Sequence, residues 1–364
     1  MKKFIVGIVA MATFFGGAWA QAAELKPNHP EFHVVQPGDT LWDISAAFLE
    51  DPWLWPEIWH VNEQVDNPHL IFPGDVLALV YVDGQPRIIK TDRLPDGTVK
   101  LSPQIREVSR GQAISTIPLD AILPFLVSAR VVSEEDLENA PYVLAGDEGR
   151  LANAVDNKVY VRGITTPEAS KYTFYREGDV YVDPDTDEEL GVEAIHLGAG
   201  LKVRAGDPST IRIETSVSEI LKGDRLWPTN DAQLRPNYFP HAPNKQVDAT
   251  IISVYDGVVQ IGQYDVVVIN RGERDGMEVG HVLAVHQRGE TVEDPYARDN
   301  KNVNTDGALV TFFKDMTLQK EEVTLPDEEA GLLMVFRTFE KVSLGLILKA
   351  QRPLHVLDKA KTPY

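Results

Sequence analysis

From Glu31 to Gln36 the chain alternates apolar and polar side chains in "EFHVVQ", a spacing that predicts a short strand. Pro37-Gly38-Asp39 ends it, because proline presets φ and glycine accepts a positive φ in a turn. Thr40 and Asp43 stand three apart, the Thr-x-x-Asp pattern that opens a helix. Leu41, Ile44 and Phe48 follow on one helical face. "DPWLWPEIWHVN" predicts a second short helix, with Pro56 suited to its first turn and Asn62 to its end. "NPHLIFPGD" turns the chain again, and "VLALVYV" reads as a buried strand. The predicted order is strand, helix, helix, strand, with Pro-Gly-Asp at 37–39 and again at 73–75.

The remainder has a different rhythm. Residues 83–103 are polar, with turn signals at "DGQP" and "LPDGT", and read as a linker or exposed hairpin. Residues 104–165 form a mixed region with two short helices, Leu119 to Leu126 and a Ser133-capped "SEEDLENA", between strand-like runs. Residues 166–240 and 247–364 read as two β-rich units of short alternating strands with glycine turns. They resemble each other weakly: Gly178 aligns with Gly280 and Ile213 with Val335, given an insertion around "EDPYARDNKNVNTDGAL". The fold class expected is α+β and multidomain, a small βααβ module followed by a β-rich region with a weak internal repeat.

Composition sets the compartment and removes some chemistry. Lys2 and Lys3, an apolar run from Phe4 to Ala18 and the small residues of Ala18-Trp19-Ala20 have the order of a cleaved signal peptide over residues 1–20. Export to the periplasm is therefore expected. The chain has no cysteine, which excludes a lipid-carrying N-terminal Cys, a Cys-ligated zinc and a thiol nucleophile. A lipoprotein is not expected. A formal net charge of −20 repels nucleic acid and anionic lipid by long-range field.

The stretch 31–82, with "VVQPGDTLWDIS", Asn62 and the closing "IFPGDVL", resembles a LysM domain, a module that binds peptidoglycan and chitin. The resemblance implies a shallow groove in which Gly38, Asp39, Thr40 and Leu41 face Asn62 and the run Asn67, Pro68, His69, Leu70 and Ile71. Backbone hydrogen bonds beside Leu41, Leu70 and Ile71 would suit the amide and methyl of an N-acetylated sugar. His69 reads as a turn residue rather than an acid–base group. Trp42 and Trp59 stand at packing spacing, whereas Trp53 and Trp55 fit either a core or a sugar-stacking role.

No catalytic, metal-ligating or cofactor motif accompanies the module. The nine histidines contain no His-x-His and no His-Glu-x-x-His. There is no Gly-x-Ser-x-Gly elbow, and the acidic runs "VDPDTDEE" and "LPDEEAG" read as solvated turns. As a whole, the order of parts ending in "GLLMVFRTFEKVSLGLILKAQRPLHVLD" is similar to the type IV pilus secretin-associated protein family. That resemblance implies a flagellar-T-protein-like C-terminal domain, an outer-membrane secretin as partner, peptidoglycan glycan strands as ligand and a homo-oligomeric ring. A generic wall-anchored scaffold and an accessory of peptidoglycan remodelling stay open beside it.

Overall fold

The computed structural model describes residues 23–59, 71–91, 115–165, 168–229, 238–255, 260–294 and 321–363. The segment read as a signal peptide lies outside them. The chain divides into two compact units, residues 1–37 with 42–112, and residues 38–41 with 113–364. Among the described residues, no helix is long and apolar enough to cross a membrane.

In the first unit, β1 (Phe32–Val34) pairs antiparallel with β2 (Val76–Val82), Val34 lying opposite Val76. Between them come α1 (Leu41–Phe48), a 3-10 turn (Pro52–Leu54) and α2 (Trp55–Ile58), which carries Pro56 in its first turn where no amide donor is needed. The chain turns at Asp83-Gly84 into β3 (Gln85–Thr91), which pairs with all of β2. The stretch that followed the module in sequence is thus the third strand of its sheet as far as Thr91. Trp53 and Trp55 are buried, as is Trp42, so these three tryptophans are core.

The second unit opens with α3 (Leu119–Ser128), β4 (Arg130–Val132) and α4 (Glu134–Asn139). Ser133 Oγ caps α4 by accepting the Asp136 amide at 3.0 Å. A run of strands follows: β5 (Tyr142–Gly146), β6 (Ala152–Asn153), β7 (Lys158–Arg162), β8 (Lys171–Val182), β9 (Glu189–Arg204), β10 (Ser209–Ser216), β11 (Ile220–Leu221) and β12 (Arg225–Pro228). Because β10 pairs with both β7 and β9, six of them close in the cyclic order β5-β12-β8-β9-β10-β7, and β4 adds to β9.

A second closed barrel follows. Its elements are β13 (Asp248–Val254), β14 (Gln260–Ile261), β15 (Val266–Ile269), β16 (Val282–Gln287), β17 (Thr291–Asp294), β18 (Glu321–Thr324), β19 (Glu328–Thr338), β20 (Ser343–Ala350), β21 (Leu354–His355) and β22 (Lys359–Lys361). The closed strands run β13-β22-β16-β19-β20-β15. Numbered by order along the chain, both barrels read 1-6-3-4-5-2. Even the accessory pairs β6–β11 and β14–β21 fall at equivalent places.

Register makes the duplication specific. Val143 corresponds to Ile251, Val159 to Val267, Phe174 to Val285, Ile213 to Ile347 and Leu226 to Ala360; each pair fills its own barrel core. A repeat is therefore present as a shared topology, but its first copy begins at Tyr142, inside the region 104–165 read as mixed, rather than at 166, and the alignment shifts. The ladders β8–β12 and β16–β22 pair Gly178 with Gly289 rather than Gly280, and Ile213 belongs with Ile347, not Val335.

One turn recurs at six places: Phe72–Asp75, Ala154–Asn157, Leu221–Asp224, Gly262–Asp265, Glu278–His281 and His355–Asp358. The third residue has positive φ, from 68° at Asp156 to 102° at Gly280. The fourth residue's side chain accepts the amide of the first, as Asp224 Oδ2 does from Leu221 at 2.6 Å and His281 Nδ1 from Glu278 at 3.1 Å. The third amide and the fourth carbonyl then clamp one residue of another strand; Gly223 and Asp224 clamp Val143, Leu357 and Asp358 clamp Ile251. Each turn thereby fixes where the following strand starts.

The "VDPDTDEE" run corrects its sequence reading. Asp183 is buried, accepting Asn270 Nδ2 at 3.1 Å and Arg271 Nη1 at 3.3 Å. Next to it, Glu188 takes Arg274 through both oxygens and Lys341 at 2.8 Å, joining the β8–β9 connection to the second barrel. Hydrogen bonds from Arg274, then Lys341, hold the Glu188 carboxyl down to about 2 from an ordinary 4.5. A depressed carboxylate contributes stability that is full above its unfolded value and is lost as pH falls through its folded one. Acid titration is expected to loosen this connection between pH 4.5 and about 2, and Glu188→Gln to flatten the profile there. An unchanged profile for that variant, followed by hydrogen exchange of the β8–β9 connection, would refute the assignment.

Candidate functional site

The residues expected to meet sugar fall into three groups. Asn62, Asn67, Pro68, His69 and Leu70 lie outside the described residues. Gly38 is exposed with φ 97° and open space where a side chain would stand, and Asp39 beside it is half-buried. Thr40, Leu41 and Ile71 are buried at 5%, 1% and 1% exposure. The Leu41 amide is already engaged by the Ser115 carbonyl at 2.9 Å. Of the described residues, Gly38 and Asp39 therefore offer surface, while Leu41 and Ile71 supply packing.

The second Pro-Gly-Asp is anchored more firmly than its sequence shows. Gly74 has φ 95°, a conformation other residues adopt only with strain. Its amide donates to the Val35 carbonyl at 2.8 Å, and the Val35 amide donates to the Asp75 carbonyl at 2.9 Å. Asp75 accepts the Phe72 amide at 2.9 Å and pairs with Lys90 at 2.6 Å. These bonds tie the end of the module to the strand that begins it.

Another constellation was missed by sequence reading because its members are far apart. His241, Glu278 and His281 place donor atoms within 4.8 Å of one another, and the two imidazoles stand 4.9 Å apart at 69°. The donors are committed, however. His241 Nδ1 lies 2.9 Å from the Phe239 carbonyl, and His281 Nδ1 accepts the Glu278 amide as part of the recurring turn. A neutral His281 then carries its proton on Nε2, so a metal there would have to displace the Glu278 amide from Nδ1. Burial, then the neighbouring His241, push the His281 imidazole below its ordinary value, with Glu278 opposing. The chemistry fits a turn cap better than a metal centre.

Comparison with known proteins bears on the first unit. A stretch of 60 residues is 37% identical to the uncharacterized protein YqbP of Bacillus subtilis (strain 168), covering 14% of this chain. The match spans only 27% of that relative's own length. Residues 33–79 match the LysM domain family, so this chain carries a LysM domain, a module that binds glycan polymers such as peptidoglycan or chitin, ahead of a β-rich region.

Proposed function

We propose that this chain is a non-catalytic, periplasmic peptidoglycan-binding protein that anchors an outer-membrane secretin of the type IV pilus machinery to the cell wall. The observation that carries wall binding is the LysM match over residues 33–79, folded as β1, two short helices and β2. The secretin part rests on the order of parts and on the C-terminal sequence, to which the structure adds a unit large enough for a separate partner. A fibre drawn back through a pore in a fluid membrane loads its support. Subunits in a ring, each with one weak glycan contact, would hold through effective concentration rather than through tight single sites.

The full chain is expected to co-sediment with purified peptidoglycan sacculi, while a chain beginning after Gln112, where the first unit ends, stays in the supernatant. Equal sedimentation of both places wall binding outside the module. Affinity capture from membranes should recover a secretin with the full chain and with the shortened one. Capture of no secretin by either leaves wall anchoring and removes the pilus role.

A further inference from the structure

Within the second unit a cavity of about 860 Å³ is lined in part by Arg130, Thr173, Tyr175, Tyr238, Phe336 and Arg337. That volume is in the range of small-molecule and peptide-end sites. Two guanidinium groups share it. Arg337 spends Nη1 on the carbonyls of Phe125 and Leu126 near the end of α3, at 3.2 and 2.9 Å, and stands 5.1 Å from the Phe339 ring. Arg130 stacks over Trp227 at 5.1 Å and Tyr175 at 5.7 Å. It makes no ion pair or hydrogen bond among the described residues, and its Nε is enclosed without a partner.

An enclosed guanidinium donor with nothing to accept from it is costly. This chain has 55 acidic against 35 basic residues, so a carboxylate could readily have been supplied. Ion pairs bind Arg176, Arg271 and Arg274 in the same unit, yet among the described residues neither Arg130 nor Arg337 has one. Burial first of all pushes Arg337 below its ordinary value, and Arg130 adds to the effect. Among the described residues no acceptor reaches Arg130 Nε, a place that an incoming anion could take.

The walls narrow its chemistry. Tyr175, Tyr238 and Phe336 favour an apolar carrier. Glu273 and Glu278 also line the cavity, and with the acidic chain around them they disfavour a dianion more than a monoanion. We propose that this cavity is a binding site for a peptide carboxylate, with Arg130 as its principal charged contact and Arg337 as the second. Arg130 is already held flat by its aromatic neighbours, so little side-chain freedom is lost on binding. The site lies within the second unit, and its occupancy does not depend on wall binding.

Calorimetric titration of the full chain tests it with four probes. Acetyl-Gly-Phe carries a terminal carboxylate, acetyl-Glu-Phe-amide a side-chain carboxylate, acetyl-Gly-Phe-amide neither, and inorganic phosphate is a plain anion. Saturable binding of at least one acid, without binding of the neutral amide, is expected, and the stronger acid identifies the source. Arg130→Met should weaken it at least about tenfold, the scale of a lost charge-assisted hydrogen bond, without lowering the melting temperature. Arg130→Lys should retain part of the binding. Absence of saturation by either acid, an equal response to the amide, or phosphate binding as tightly as the peptides would overturn the proposal. So would unchanged binding by Arg130→Met, or a lowered melting temperature in that variant, which would assign Arg130 to packing.

Discussion

Gly200→Val is expected to destroy the first barrel. Gly200 is buried in β9 opposite Tyr172 on β8 and Ile213 on β10, so it lies in the strand that joins two ladders. A Cβ there would stand 2.6 Å from the Arg212 carbonyl oxygen and 2.8 Å from Ile211 Cγ2. The first obstacle is backbone and cannot rotate away. Relief requires β9 and β10 to separate, and their separation reopens the barrel. A loss of about 3 kcal/mol or more is expected, at the upper end of single substitutions. Denaturant unfolding followed by far-UV ellipticity measures it. Gly262→Ala is the control, because its Cβ would meet only Asp265 Oδ2 at an ordinary 3.7 Å. A Gly200→Val chain unfolding at the control's midpoint would refute the close approach.

Asp358→Ala is the second large effect. This buried carboxylate accepts the His355 amide at 2.8 Å through Oδ2 and the Arg288 amide at 3.1 Å through Oδ1. Removing it leaves both amides without their acceptor, and since both bonds are only part-buried the cost is about 1 kcal/mol for each, the low end for a lost acceptor. The same turn positions Leu357 and Asp358 against Ile251, so the start of β22 is also loosened. Asp358→Asn should cost less, because its one acceptor oxygen can keep the His355 amide, as Asn157 keeps the Ala154 amide in the first barrel, while the Arg288 amide still loses its acceptor. Equal losses for Ala and Asn variants would show that the side-chain acceptor is not what holds the turn.

Much of the small module was legible in sequence. Leu41, Ile44 and Phe48 at helical spacing, Pro56 in the first turn of α2 and the alternation around β1 each express a local rule, and each element formed near the place predicted. The glycan-facing residues were less legible. Sequence spacing places Leu41 and Ile71 beside a turn, but only packing tells that both side chains point inward. The duplicated barrel was visible as a weak repeat and misaligned for a physical reason. Its cores exchange Phe174 for Val285 and Leu226 for Ala360, so side-chain size at equivalent positions does not carry the repeat. What both copies keep is backbone geometry, carried by Gly223 in one and Leu357 in the other, residues with nothing in common in composition. Arg130 and Arg337 met across a long separation that no periodicity records.

The last strand of each barrel lies beside its first: β12 pairs with β5, and β22 with β13. Neither cylinder can therefore be completed until its own last strand exists, residues 225–228 for the first and 359–361 for the second. The ladders that close them span long loops, and such closure is slow compared with local helix or hairpin formation. The N-terminal module is able to fold first, and the first cylinder can close before the strands of the second have all been made. Folding of the two cylinders is set by the arrival of their last strands, and a chain cut a short way before Lys359 would hold one finished cylinder and one open sheet.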